Sequence, residues 1–311
     1  MSLDLRQGAA DYLRLRRSLG FRLADYDWLI AQFLDHVETH GRTRITVEDA
    51  LAFAQTPATS SRRWHAARLA VIRDLAAYLH AVDPSAAELI PSKLIHASGV
   101  CRRVPYLYTP EQITALMAQA RTLRSATLAA SISTLIGLMA VTGLRTGEAR
   151  GLDVENLAIN RQVLAVNGKY GKERLLPLHA STVQELVDYL RLRAAVATTP
   201  HAGPLLVAPC GGRLNKNTTT TVFRQVADAV QLPARPGTAT ARLYDLRHTF
   251  AVNSLIDAHR QGVDVDARIA TLATYLGHVE PVYTYWYLTA CPELMALVSA
   301  RTIANIGRIG R

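Results

Sequence analysis

The stretch SATLAASISTLIGLMAVTGLRTGE, Ser125 to Glu148, decides how this chain folds. Its first part, Ser125 to Leu144, holds no charged side chain. Leu128, Ile132, Leu135 and Met139 recur at helical spacing, so the run predicts a helix. Ser125, Thr127, Ser131, Ser133, Thr134 and Thr142 interrupt the apolar run, and it leads directly to Arg145. A bilayer span needs about 20 predominantly apolar residues. The hydroxyls and the abrupt charge therefore make this a buried core helix rather than a membrane span. Gly143 is placed to end it and to deliver Arg145 from the following turn.

A helix without a polar face must be surrounded by other elements. The chain of 311 residues has the means, since 49% of them are hydrophobic, which excludes an intrinsically disordered polyelectrolyte. At roughly 150 residues per domain the length suggests two domains. Against 25 acidic side chains stand 35 Lys and Arg, a formal charge of +10. Such a charge favours a polyanionic partner, with an anionic membrane surface as second choice. It is unevenly spread. Residues 1–97 hold 12 basic and 11 acidic side chains, a net of +1, whereas residues 98–311 hold 23 and 14, a net of +9. Only Lys93, Lys169, Lys172 and Lys216 among the cations are lysines, a ratio that genomic base composition accounts for. The cysteines, Cys101, Cys210 and Cys291, are far apart and form no CxxC pair, which argues against a disulfide framework or a zinc site. The opening MSLDLRQGAADYLRLRR lacks the apolar stretch of a signal peptide, and a reducing, cytoplasmic and nucleoid-associated setting is the expectation.

Upstream of the decisive stretch, residues 1–97 read as a helical domain. Asp11 to Leu19, Tyr26 to Thr39, Val47 to Gln55, Ser61 to His80 and Ala86 to Leu89 all look helical, punctuated by Gly20, Gly41, Pro57 and Asp83-Pro84. Thr46 with Asp49 forms a capping pair. In the Ser61 helix, Trp64, Leu69, Ile72 and Leu79 face inward and Arg62, Arg63, Arg68 and Arg73 outward. That arginine face suits phosphate tracking, and an ordinary solvated face explains it equally well. His36 and His40 lie four apart but lack a third ligand, so a solvated face is preferred to a metal site. Residues 98–109, with Arg102 and Arg103, read as a linker. Thr109-Pro110-Glu111-Gln112 then supplies a capping box with proline at the first helical position, which opens the second domain, 110–311.

Beyond Arg145 the pattern turns to β-branched runs. Gln162 to Val166 and Arg174 to Leu178 flank Asn167-Gly168-Lys169-Tyr170-Gly171-Lys172, a hairpin with a glycine-containing turn. Helical patterns resume after Ser181 and from Asn217, Asp245, Ala267 and Pro292. The overall class is mainly α with a small β-sheet. Arg213, Lys216 and Arg224 flank an Asn- and Thr-rich helix start, where phosphate contact and simple solvation balance. The tail from about residue 292 to 306 is amphipathic.

Clusters in the second domain combine into a sharper signal. They are Thr142-Gly143-Leu144-Arg145-Thr146-Gly147-Glu148, the hairpin with Lys169 and Lys172, Tyr244-Asp245-Leu246-Arg247-His248, and Leu276-Gly277-His278 with Tyr287 nine residues on. Their order and spacing resemble the tyrosine recombinase (phage integrase) family, whose pattern is TGLRxxE, GKxxKER, HxLRH, then LGH and a tyrosine. The resemblance implies a two-domain DNA clamp in which residues 1–97 form the core-binding domain. It implies that Arg145 and Arg247 bind the scissile phosphate, Lys169 is the hairpin lysine, and His278 and Tyr287 are the second imidazole-position residue and the nucleophile. By the same resemblance Glu148 matches the acidic residue that supports the first arginine, Lys172 is expected to be auxiliary, and His248 is expected to be a buried structural donor. Arg62, Arg63, Arg68, Arg102, Arg103, Arg213 and Lys216 are the candidate DNA contacts.

The chemistry explains these residue types. Guanidiniums present paired donors to nonbridging oxygens and stay charged, so they stabilise the extra charge of a pentacoordinate transition state. A phenol with a pKa near 10 needs its proton removed or its phenolate stabilised, and a lysine can protonate the departing 5′-oxygen. The family forms a covalent 3′-phosphotyrosine, requires neither metal nor ATP, and here no P-loop pattern occurs, so no cofactor is expected. The implied function is site-specific cleavage and rejoining of duplex DNA in integration or transposition of a mobile element. A type IB topoisomerase-like enzyme or a catalytically weak DNA-binding member are the alternatives. A monomer in solution, a homotetramer on synapsed DNA and accessory recombination proteins belong to the same expectation. The C-terminal tail packs either on its own domain or on a neighbouring protomer. One departure stands out: Tyr244 occupies the place of the first histidine of HxLRH. Its hydroxyl donates a hydrogen bond but accepts a proton poorly near neutrality, so weakened rather than abolished activity is expected. Tyr275, Tyr283, Tyr285 and Trp286 read as packing aromatics.

Overall fold

The computed structural model describes residues 3–277 apart from 22, 24, 25, 57, 96–103, 169–172, 198, 200 and 234–239, together with Met295. The chain divides into two compact units, Met1–Cys101 and Arg102–Arg311.

The first unit is built from α1 (Leu5–Ser18), α2 (Tyr26–Thr39), α3 (Val47–Gln55) and α4 (Arg62–Val82). Asp4, Thr46 and Ser61 cap α1, α3 and α4, their side chains accepting from backbone N–H groups of the first turn. Thr46 Oγ1 also donates to the Asp49 carboxylate at 2.6 Å. Phe33, Val37, Ile45, Phe53, Ile72, Leu75 and Leu79 close the core between the helices.

Three expectations change here. Helix α1 begins at Leu5 rather than Asp11, because Asp4 caps it and Leu5 and Ala9 are buried. Residues Ala86 to Leu89 are not helical. Ala87 instead pairs with Ile45 in a parallel bridge, framed by Ile45 N–H donating to the Ala86 carbonyl and Glu88 N–H to that of Ile45. On α4 the inward and outward assignments of Trp64 and Arg68 are reversed. Trp64 sits in the first turn and is exposed, whereas Arg68, one turn before Ile72, is buried with its guanidinium 4.0 Å from the Phe53 ring centroid. A cation stacked on an aromatic face is stabilised there rather than in solvent, so Arg68 is not part of an exposed phosphate-tracking face. Arg62 and Arg63 are exposed.

The second unit surrounds the apolar run. Helix α6 (Ala126–Thr142) starts at the Ser125 cap and ends at Gly143, whose φ of +61° is the left-handed C-cap that glycine adopts without strain. Ile132, Leu135, Ile136, Leu138 and Met139 are all buried in the main core. Among the described residues no helix is long and apolar enough to cross a membrane. Around α6 stand α5 (Pro110–Arg121), α7 (Thr146–Gly151), α8 (Ala180–Ala194), α9 (Lys216–Val230) and α10 (Asp245–Arg260), with α11 (Val265–Leu276) packed on α10. The predicted capping box at Thr109 and Gln112 opens α5.

The hairpin forms as β2 (Val163–Asn167) and β3 (Glu173–Pro177), antiparallel, with Val166 opposite Arg174 and Leu164 opposite Leu176. A two-residue strand β1 (Leu157–Ala158) completes a three-stranded sheet in the order β1-β2-β3. Leu164, Val166 and Leu176 are buried on one face, while Leu175 on the other is exposed. The latter half of the expected linker is not free chain. Tyr106 and Tyr108 are buried in the second unit's core, with Tyr108 N–H donating to Thr249 Oγ1 at 3.0 Å and its hydroxyl to the Arg242 carbonyl at 2.8 Å. Burial, with the nearby Asp245 carboxylate, pushes the Tyr108 phenol well above its ordinary value and keeps it a neutral donor. Arg102 and Arg103 lie outside the described residues, as does the tail expected as helical over 292–306 apart from the exposed Met295.

Candidate active site

Three helix ends converge in the second unit: the C-terminus of α6, the N-terminus of α10 and the C-terminus of α11. Arg247, in the first turn of α10, crosses the gap. Its Nη1 donates to the Gly143 carbonyl at 2.8 Å and its Nη2 to the Leu276 carbonyl at 2.8 Å. Both acceptors are carbonyls at helix C-termini, where the macrodipole leaves partial negative charge. The side chain is 0% exposed, so these neutral dipoles stabilise a fully buried cation without cancelling its charge.

Arg145 reaches the same place from the other side. It precedes α7, and its Nη2 donates to the Gly277 carbonyl at 2.9 Å. Its Nη1 donates to Glu148 Oε1 at 2.7 Å, and its backbone N–H to Glu148 Oε2 at 3.0 Å. One carboxylate therefore both starts α7 and holds the guanidinium, which remains 32% exposed. Leu276 and Gly277 thus offer consecutive carbonyls to the two arginines, and His278 follows in the chain.

The glycines of this corner are required by space as well as by backbone. At Gly143 a Cβ would meet Phe250 Cδ1 at 2.5 Å, and at Gly277, φ +66°, it would meet Arg174 Nη1 at 3.1 Å. The TGLR and LGH motifs thereby acquire a physical meaning. Each glycine lets a helix end in the left-handed conformation and turns a carbonyl toward an arginine.

Arg174, which the sequence reading did not single out, belongs to this constellation. It donates from Nη1 to Glu148 Oε1 at 3.2 Å and from Nη2 to Oε2 at 2.8 Å. Burial alone would raise the Glu148 pKa, but hydrogen bonds from Arg174 and Arg145 outweigh it and hold the acid down at about 2. The period of two along β3 was the available signal. Arg174 shares parity with the buried Leu176 and Leu178, so a charged residue lay on the inward face of a strand.

Tyr244 sits at the exposed entry to α10, and its ring meets the half-buried His248 edge-on at 5.1 Å. Next to it Asp245 is fully buried and accepts from Arg242 through its backbone N–H at 3.0 Å and Nη2 at 2.8 Å. Asp245 and Arg242 were also missed; the motif hides them because their task is to fix the start of α10. Tyr275 stacks on Phe250 at 5.5 Å, and burial raises its phenol pKa, in keeping with its reading as a packing aromatic.

The remaining sites divide. Lys169, Lys172, His278 and Tyr287 lie outside the described residues, together with Tyr283, Tyr285 and Trp286. Arg213 is committed elsewhere: its Nη1 donates to the Arg150 and Leu152 carbonyls at 2.9 Å each, and its Nη2 meets Asp153. It staples the loop after α7 rather than offering free donors to a phosphate. Lys216 is exposed in the first turn of α9. His36 packs its ring 4.3 Å from that of His40 and 5.8 Å from Phe53, and burial with the neighbouring imidazole lowers its pKa. No group of three metal-ligating side chains occurs among the described residues.

The second unit is thus a helical body around an uncharged central helix, with a small antiparallel sheet and two arginines gathered at facing helix ends. The comparisons with known proteins place it further. The sequence model of the phage integrase family matches residues 107–293, and the chain belongs to that family, the tyrosine recombinases. It is 36% identical to y4rB of Sinorhizobium fredii (strain NBRC 101917 / NGR234), named as an integrase/recombinase, over 93% of this chain and 94% of that protein. It is 25% identical to the tyrosine recombinase XerD of Bifidobacterium longum (strain NCC 2705), over 87% of each. Among solved structures, the Tn1549 transposon integrase in complex with transposon right end DNA shares the fold with a TM-score of 0.62 at 16% identity, covering 99% of this chain and 100% of that one.

Proposed function

We propose that this site-specific recombinase cleaves duplex DNA through Tyr287, forming a 3′-phosphotyrosine link and releasing a 5′-hydroxyl that later re-attacks. Arg145 and Arg247 form the cationic pair that receives the scissile phosphate, Arg145 as its solvent-facing member and Arg247 as its enclosed one. Lys169 protonates the departing 5′-oxygen, with Lys172 auxiliary to it, and His278 serves the second imidazole position. Tyr244 donates a hydrogen bond in place of the usual histidine, and His248 buttresses its ring.

One observation carries this reading. The carbonyls of Leu276 and Gly277 hold Arg247 and Arg145, which are far apart in sequence, at one spot that leads directly to His278. Two guanidiniums brought to one place suit an anion that gains charge in the transition state. In the same reading the first unit is the core-binding domain that closes on DNA, with Arg62, Arg63 and the linker residues Arg102 and Arg103 near the backbone. The active assembly is a tetramer on synapsed DNA in the cytoplasm, and the event served is integration or transposition.

The test is a suicide DNA substrate nicked near the cleavage position, with covalent adducts separated by denaturing electrophoresis. The wild type is expected to accumulate an adduct that Tyr287→Phe lacks. A persisting adduct in the Phe variant moves the nucleophile elsewhere. DNA affinity should fall steeply with salt, by about 0.9 log units per log salt for each phosphate neutralised. Lys216→Ala should reduce that slope by about one contact, whereas Arg213→Ala should leave it unchanged.

A further inference from the structure

We propose that Arg174 is a positioning residue for Arg145, acting through Glu148. The proposal rests on the reading of Arg145 as a ligand of the scissile phosphate.

The Glu148 carboxylate is saturated. Oε1 accepts from Arg145 Nη1 at 2.7 Å and Arg174 Nη1 at 3.2 Å, and Oε2 accepts from the Arg145 backbone N–H at 3.0 Å and Arg174 Nη2 at 2.8 Å. The cation that meets solvent is Arg145, at 32% exposed. Arg174 at 14% and Glu148 at 9% form the enclosed part. Arg174 grips both oxygens as a fork, which fixes the plane of the carboxylate and with it the direction in which Arg145 points. Without that fork Glu148 could rotate about its last side-chain bonds and take Arg145 with it.

Charge is the second consequence. A lone carboxylate paired with Arg145 would leave that pair neutral, a poor attractor for a phosphodiester. With Arg174 added, the triad keeps a net charge of +1. Arg174 also belongs to β3, so it ties the hairpin to Arg145, and the chain between β2 and β3 carries Lys169. A displacement of about 1 Å at a reacting group costs on the order of 100-fold in rate, which makes such bracing consequential. Gly277 adds to the fit, since a Cβ there would stand 3.1 Å from Arg174 Nη1.

The experiment compares Arg174→Gln, Arg174→Lys and Arg145→Ala on the nicked substrate, measuring adduct formation rate, DNA affinity and the pH profile of the rate. Arg145→Ala should form no measurable adduct. If it cleaves normally, the underlying reading fails, whatever Arg174 does. Arg174→Gln should bind DNA within about twofold of wild type and cleave roughly 10- to 100-fold more slowly. Its rate should also decline at a higher pH on the acid side. Burial pushes the Glu148 carboxyl up while hydrogen bonds from Arg174 and Arg145 hold it down, so removing Arg174 moves it upward against the remaining Arg145 bonds, and protonation then loosens Arg145 at a higher pH. Arg174→Lys keeps the charge but replaces the fork by a point donor. It covers the case in which the Gln variant does not fold, and it should show a smaller rate loss and acid-limb shift of the same sign. Wild-type rate and wild-type pH profile in a folded Lys or Gln variant, with Arg145→Ala inactive, would overturn the role of Arg174 alone.

Discussion

Arg145 and Arg247 arrive at the same place and are held there by opposite chemistry. Arg247 is enclosed and anchored by two neutral carbonyls, those of Gly143 and Leu276. Arg145 is partly open and anchored by a carboxylate that it shares with Arg174. Dipoles hold a cation without neutralising it but must surround it; a carboxylate holds it from one side and cancels charge, which a second guanidinium restores. The contrast teaches that an arginine can be held by helix-end carbonyls or by a carboxylate, and that the Glu148 ion pair brings a pH dependence with it.

The largest effect should come from breaking the enclosed side. Arg247→Ala removes a fully buried side chain and strands two carbonyls, so we expect a stability loss of about 3 kcal/mol or more, read in denaturant unfolding. Adduct formation on the nicked substrate should fall at least roughly 100- to 1000-fold. A protein of unchanged stability would remove the enclosure argument.

The ion-paired side should respond to acid. The Glu148 carboxyl lies at about 2 in the folded chain against an ordinary 4.5, so its protons bind more readily to the unfolded chain. Its contribution is therefore present above 4.5 and is lost as pH falls toward 2, an amount on the order of 3 kcal/mol. Glu148→Gln should lower stability at neutral pH by a similar amount and flatten the acid loss between those values. Equal acid sensitivity in the Gln variant would show that other carboxylates are responsible.

Smaller effects separate the two glycines. Gly143→Ala combines a left-handed backbone with a Cβ 2.5 Å from a ring atom of Phe250, while at Gly277 the Cβ meets the end of Arg174. The left-handed backbone alone costs roughly 1–2 kcal/mol for a residue with a Cβ. We expect Gly143→Ala to destabilise more, and Gly277→Ala to lose more activity than stability because Arg174 moves. Melting curves beside adduct assays decide it. Least perturbing is Tyr244→Phe at an exposed position, with stability within about 0.5 kcal/mol of wild type. Its cleavage should slow relative to wild type, and Tyr244→His should cleave faster. Equal rates for Tyr and Phe remove the hydroxyl from the mechanism.

The same contrast explains what could be read from sequence. The uncharged run from Ser125, the caps at Thr46 and Thr109 and the hairpin are local signals, set within a few residues, and the structure has them there, with each hairpin strand displaced by one residue toward the turn. Arg145, Glu148 and Arg247 were legible through motif order. Arg174 was legible only in part: its parity with Leu176 and Leu178 marks it as inward-facing, but its partner lies 26 residues away and leaves no local trace. The reversal of Trp64 and Arg68 has a related cause. Residue type argued for tryptophan inside, but helical phase places Arg68 in line with Ile72, and the Phe53 ring gives the guanidinium a stable berth. Asp245 escaped notice because its task, holding Arg242 at a helix start, leaves no periodic trace.

The Arg247 hydrogen bonds join positions separated by 104 and 29 residues, and the Arg145 bond to Gly277 spans 132. Closing loops of such length costs chain entropy, which the packing of the whole unit must offset. A half-folded or still-growing polypeptide therefore has its arginines but not their placement. The site therefore belongs to the assembled unit and to no single segment, because no short stretch of the chain carries both arginines together with the carbonyls that hold them.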